Sequence, residues 1–226
     1  MKPVRAVYRM YMVDGKTSFL IFWGILLAIF ALSSGLVWYF SGGSVQFSGA
    51  PAVYIFAFVS GIVSVREPLY FSLGMGVRRK DIFAGSMLYY VSHAVASAVL
   101  LTVFARLELL LFSWRQLPIN FFANQWLSGK PVPVEWLFHS GAILMLLVSG
   151  FFLASVYHRF GAMGLFGLTA ISLLLGALLS LTGGFESLER LMGGLDPATA
   201  IAGSLLITIV IHSALSYLCL RTLSVK

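Results

Sequence analysis

The chain has 226 residues, 59% of them apolar and 10% charged, and a formal net charge of +7. Soluble domains are about 45–50% apolar and about 25% charged, so this composition excludes an ordinary water-soluble enzyme and leaves little room for a soluble domain. The cations lie between apolar runs, where anionic lipid headgroups satisfy them. The positive balance therefore points to a membrane surface and not to nucleic acid.

Residues 1–16 interleave Lys2, Arg5, Arg9 and Lys16 with Val4, Val7, Tyr8 and Tyr11. Apolar positions at helical spacing with cations on the remaining face predict an amphipathic helix lying in the headgroup layer. The apolar run that follows, Thr17–Phe40, exceeds the roughly 7–15 residues of a signal-peptide core. It reads as an uncleaved first span. Runs of about 20 apolar residues, each enough to cross a bilayer as a helix, recur along the chain. They predict an all-α polytopic protein with one transmembrane domain over 1–226 and spans at 18–40, 51–65, 82–105, 136–157, 163–181 and 198–220. The second is short, and Pro51 suits its first turn. With a cytoplasmic N-terminus, eleven of the fifteen Lys and Arg residues fall on the inner side. Arg106, Arg115, Lys130 and Arg190 fall outside. That bias is the one expected when both termini are cytoplasmic.

The outer segments differ in character. Ser41–Ala50 reads as a Gly/Ser turn. Arg106–Glu135 carries Trp114 and Trp126, with Trp136 directly after it, and these tryptophans suit interfacial anchoring. In Thr182–Pro197, Phe185, Leu188, Leu191 and Met192 share a helical face and predict a short interfacial helix.

Catalytic patterns are thin. An intramembrane serine protease needs a G-x-S-G serine and a histidine on another helix. Ser60-Gly61 and Ser149-Gly150 supply only the second half of that pattern, with His93 and His212 as distant histidines. His93, His139, His158 and His212 are scattered and lack H-E-x-x-H spacing, so no metal site is expected. Cys219, the single cysteine, has no disulfide or C-x-x-C partner and reads as a small buried hydrophobe. An ion-coupled carrier usually places an acid or arginine inside a span. Here only His93 and His212 are titratable near membrane depth. No G-x-x-x-x-G-K-S/T phosphate loop occurs, so the chain is not expected to be an ATPase, or an enzyme of another kind, and no cofactor is expected on it.

One charged stretch interrupts the first half of the chain: Arg66–Asp81, R-E-P-L-Y-F-S-L-G-M-G-V-R-R-K-D. Pro68 and Glu67 suit the first turn of a helix, and Gly74 or Gly76 can end it at positive φ. Arg78, Arg79 and Lys80 can hold the return to anionic lipid, and Asp81 can cap the next span. A rigid two-turn helix with exposed aromatics fits a groove on a soluble partner. An ordinary interfacial loop that sinks its apolar residues into lipid fits the same residues.

The string F-S-L-G-M-G-V-R-R-K-D-I-F-A-G-S-M-L, Phe71–Leu88, resembles the region after the second span of ABC-2-type transporter permeases, where a Leu-Gly-x-x-x-Arg-Arg/Lys pattern precedes an aromatic. His158–Gly164, with its R-F-G-x-x-G core, is similar to a second family element, a basic inner loop. The resemblance implies a six-span subunit of a bacterial cell membrane that pairs with a second permease half and two ATP-binding subunits. ATP and Mg would then sit on the partner. It further implies that the loop after the second span is a coupling helix, with Glu67, Leu69, Tyr70, Phe71 and Leu73 against the ATPase and Arg78, Arg79 and Lys80 bracing it. The segment between the third and fourth spans is longer than in members that export polysaccharide, which favours a peptide, drug or lipid-like substrate.

Overall fold

A computed structural model describes residues 2–40, 48–112, 121–123, 127, 130–183 and 197–221. Among them the regular structure is helical: α1 (Lys2–Phe40), α2 (Ala50–Val63), α3 (Arg66–Gly74), α4 (Arg79–Phe112), α5 (Val132–Leu181) and α6 (Pro197–Arg221). All six expected apolar runs are helical apart from Ser64 and Val65 at the end of the second. Four helices, α1, α4, α5 and α6, are long and apolar enough to cross a membrane, and the chain is built as a membrane protein. The apolar α2 has 14 residues and so rises only about 21 Å, short of the roughly 30 Å hydrocarbon layer. The expected turn at Ser41–Ala50, the helix at Thr182–Pro197, Trp114 and Trp126 fall wholly or mainly outside the described residues.

Helix α5 is the central element and packs against α2, α4 and α6, while α1 lies on α4. The α2–α5 crossing is close because two glycines meet there. A Cβ on Gly61 would strike the Leu147 carbonyl, and one on Gly150 would strike the Phe58 carbonyl. Tyr90, Ile143, Leu147 and Phe151 are fully buried around this crossing. Small residues are what allow such close approach in a membrane bundle, where lipid is as apolar as leucine and packing must drive association.

The amphipathic start of the chain departs from expectation. Residues 2–40 form one 39-residue helix of about 58 Å, not a separate interfacial helix followed by a span. No proline interrupts it, and Gly15 serves packing instead of a stop. A Cβ at Gly15 would collide with the Tyr89 hydroxyl, and one at Gly85 would meet Val7. Val7 and Tyr11 are buried, and Tyr11 stacks on Tyr89 with centroids 5.5 Å apart. The apolar stripe expected to face lipid faces α4.

Two further boundaries shift. Helix α4 starts at Arg79, with the Asp81 and Ile82 N–H groups bonded to the Arg78 carbonyl at 2.9 and 3.1 Å, so Asp81 sits in the first turn and does not cap it. In α5 the expected inner loop at His158–Gly164 contracts to Gly161, whose φ of 67° and ψ of −162° break the helix into arms 132–160 and 162–181. The second arm folds back: Leu165 and Leu168 pack on the cluster of Phe152, Val156 and Cys219.

That Gly161 conformation is open essentially to glycine alone and costs other residues about 1–3 kcal/mol. Gly161→Ala should lower stability in detergent by that amount, read as a shift in the denaturation midpoint. Gly167→Ala, which meets nothing within 4 Å, should leave the midpoint unchanged or slightly raised. An equal response of the two variants would contradict a turn set by Gly161.

Candidate functional site

The end of the bundle that carries α3 also collects cations. Arg79 Nη1 donates to the Arg221 carbonyl at 2.5 Å, and Arg159 Nη1 donates to the Leu218 carbonyl at 3.4 Å. The start of α4, the break in α5 and the close of α6 therefore share this basic end.

Only Ser64 and Val65 separate α2 from α3, and this joint is tied on three sides. Val65 is fully buried. Ser64 Oγ donates to the Gly61 carbonyl at 2.8 Å and is hydrogen-bonded to the Tyr90 hydroxyl of α4. The Tyr11 hydroxyl of α1 donates to the Ser64 carbonyl at 3.1 Å. The joint before α3 is thereby bonded to α1, α2 and α4 at once.

Helix α3 has two faces. Leu69 and Ser72 are buried and Leu73 is half-buried, at the i, i+3, i+4 spacing of one helix side. Ser72 Oγ lies 3.9 Å from Met10 Sδ of α1. Leu69 and Leu73 thus hold α3 onto the bundle. On the other side Phe71 is 62% and Met75 is 71% exposed. Met75 was not singled out from sequence, although its i+4 spacing from Phe71 is the signal that finds it. Arg78 and Lys80 are exposed, and the side chains of Glu67 and Tyr70 lie outside the described ones. The helix ends as the glycines imply. Gly76 takes φ 73°, its N–H bonds the Leu73 carbonyl at 3.0 Å, and the Val77 N–H bonds the Ser72 carbonyl at 3.1 Å. This pair of bonds is a Schellman stop.

Three histidines lie inside the bundle. His139 Nδ1 of α5 is 2.6 Å from the Tyr54 hydroxyl of α2, and His212 Nδ1 of α6 is 2.9 Å from Ser149 Oγ of α5. His93 stands among Phe19, Phe56 and Tyr89, with centroids 5.1, 6.0 and 5.7 Å away. The Ser149–His212 pair joins a serine and a histidine that the sequence left far apart. Ser149, however, sits within a continuous helical arm, where backbone N–H groups are committed to i−4 carbonyls and cannot form an oxyanion hole. His212 also stacks on Phe152 at 5.0 Å. The pair clasps α5 to α6. Among the described residues no three His, Cys, Asp or Glu side chains come together as a metal site.

The opposite end, where α2, α5 and α6 begin, holds a feature that sequence reading missed. Glu108 is 1% exposed, and its carboxylate accepts the N–H groups of Phe121, Phe122 and Ala123 at 2.5, 2.7 and 3.2 Å. The Phe121 carbonyl in turn accepts the Gly49 and Ala50 N–H groups at 2.8 and 3.3 Å, which satisfies donors left free at the start of α2. Phe121 and Phe122 pack on Phe30 at 5.4 and 5.1 Å. Residues 121–123 thus plug this loop end. The only signal for it was one acid among leucines, followed by a Phe-Phe pair. Beside the plug Arg106 Nη2 lies 2.7 Å from Glu135 Oε2. Arg106 is about 40 Å along α4 from Arg79, beyond one hydrocarbon thickness.

Comparison with protein families, curated proteins and solved structures returned no match.

Three charge-assisted bonds converge on Glu108, and leaving buried donors without an acceptor costs about 1–3 kcal/mol. Glu108→Gln, which turns an amide NH2 toward the N–H groups, should lose about that much stability in detergent. An unchanged denaturation midpoint would contradict the plug.

Proposed function

We propose that the chain is the membrane permease subunit of an ABC-2-type transporter, driven by separate ATP-binding subunits that grip α3. On this reading it lies in a bacterial cell membrane with six crossings and both termini cytoplasmic. The basic end, which the positive-inside rule assigns to the cytoplasm, carries the coupling surface. ATP and Mg are held by the partner, a second permease half completes the path, and the cargo is a peptide, drug or lipid-like amphiphile moved outward.

The observation that carries this reading is the two-faced α3. One side is packed into the bundle through Leu69 and Leu73, and the other presents Phe71 and Met75 beside Arg78 and Lys80. A loop resting in lipid has no need of a Schellman stop or of a joint bonded to two other helices. A lever does. Exposed aromatic and methionine side chains on a short helix suit a groove on a soluble partner, and such anchors dominate interface energies.

The rival is a self-contained ion-coupled carrier. One observation favours it: His93 and His139 are titratable side chains buried inside the bundle, and ionisable groups at membrane depth mark proton paths in carriers.

Co-purification tests the first reading. The tagged chain should bring down an ATPase subunit, and Phe71→Asp with Met75→Asp should weaken its association at least about thirtyfold, the worth of one interface hot spot, while the permease remains monodisperse. Undiminished recovery of the ATPase with the double variant would contradict the assignment of α3.

A further inference from the structure

A cleft of about 470 Å³ lies between α4, α5 and α6 toward the loop end. Small residues make the space, with Ala94, Gly141 and Ala202 each on a different helix. At Gly141 the helices come close enough for a Cβ to touch Leu205 Cδ1 at 3.4 Å. Along the mouth Val91, Val95, Leu137 and Leu206 are 37–63% exposed, so the cleft opens sideways, into hydrocarbon once the helices span a bilayer. Its α5 wall runs from Val134 to Leu144, about 15 Å of helix and so about half the hydrocarbon thickness. That is the depth of one leaflet.

Polarity is confined to one place. Apart from Ser140 the lining is apolar until Lys130, which stands at the loop end just before α5 begins. The nearby acid, Glu135, is already paired with Arg106 at 2.7 Å, and no ion pair to Lys130 occurs among the described residues. A cation thus sits at headgroup depth above a slot one leaflet deep and open to acyl chains.

We propose that this cleft binds an acidic phospholipid, with an acyl chain along α5 and the anionic phosphodiester headgroup on the Lys130 ammonium. An apolar slot in a bilayer is filled by whatever chain diffuses past, so shape alone selects no lipid. The charge does. A zwitterionic headgroup brings its own cation and gains less from Lys130 than a net-negative one, and one such charge near the membrane surface is worth about fivefold in occupancy. The assignment is independent of any ATPase, since it rests on the α4–α5–α6 cleft and not on α3.

The full-length chain in phosphatidylcholine nanodiscs, labelled with phosphatidylglycerol or phosphatidylcholine carrying an acyl-chain diazirine, tests it. Peptides containing Ala94, Gly141 and Ala202 should take up the phosphatidylglycerol probe about fivefold more than the phosphatidylcholine probe. Lys130→Gln should equalise the two, Lys130→Arg should retain the preference, and Ala202→Trp should remove labelling from the cleft. Equal labelling by both lipids in the unaltered chain, or a preference that survives Lys130→Gln, would overturn the proposal. The Lys130 pair decides the matter even if the tryptophan variant fails to fold.

Discussion

The backbone contact of Gly61 with Gly150 is the constraint on which the bundle depends. Helix α2 is too short to hold its place by burying a long face, and its position comes from lying directly on the α5 backbone at this crossing. The Tyr54–His139 hydrogen bond pins α2 to α5 nearer the loop end, and Phe121 closes its first turn from above. Because α3 follows after two residues, the crossing also fixes where α3 emerges. Through α5 the same contact reaches α6, by way of the Ser149–His212 bond. Small residues at one point thus connect the basic end to α5 and α6, which with α4 wall the cleft.

Among the described residues, a small set of polar side chains registers helices against one another, while many serines and threonines bond back to their own helix. Ser64, Tyr90 and Tyr11 lock the joint before α3, and Glu108 gathers three backbone donors where α4 ends. In hydrocarbon, association cannot be driven by the exclusion of water from apolar faces, so close backbone approach and a limited set of hydrogen bonds must supply the specificity. The two ends then differ in kind. At one, a stiff joint offers a helix to the outside; at the other, a plug and an ion pair seal the bundle.

Sequence and structure agree where local chemistry decides. The apolar runs are helical, Pro51 and Pro68 lie in first turns, and Gly76 ends α3 at positive φ. They part where the answer depends on what covers a face. Val7 and Tyr11 read as lipid-facing but pack on α4, and Leu69 and Leu73 read as partner-facing but hold α3 to the bundle. In a membrane protein both lipid and neighbouring helix are apolar, so periodicity gives the width of an apolar stripe and not its contact. Glycines carried the missing information: Gly15, Gly61, Gly85 and Gly150 each mark a close neighbour. Their partners lie far along the chain and leave no local trace. Gly161 was legible as a break but not as a turn of one residue, because the φ and ψ of a single glycine are set by the arms it joins. Glu108 was invisible for a like reason, since its acceptor role depends on a segment 13–15 residues away.

On the proposal that an ATPase grips α3, these helices are passive machinery, set in motion by a companion that consumes ATP at the basic end. Flux measurements on liposomes holding the purified chain, with and without its cognate ATPase subunits, address this most directly. The account predicts that solute moves only when the ATPase and ATP are both present, and that an imposed proton or sodium gradient drives nothing through the chain alone. Accumulation of solute by the isolated chain on such a gradient would contradict it.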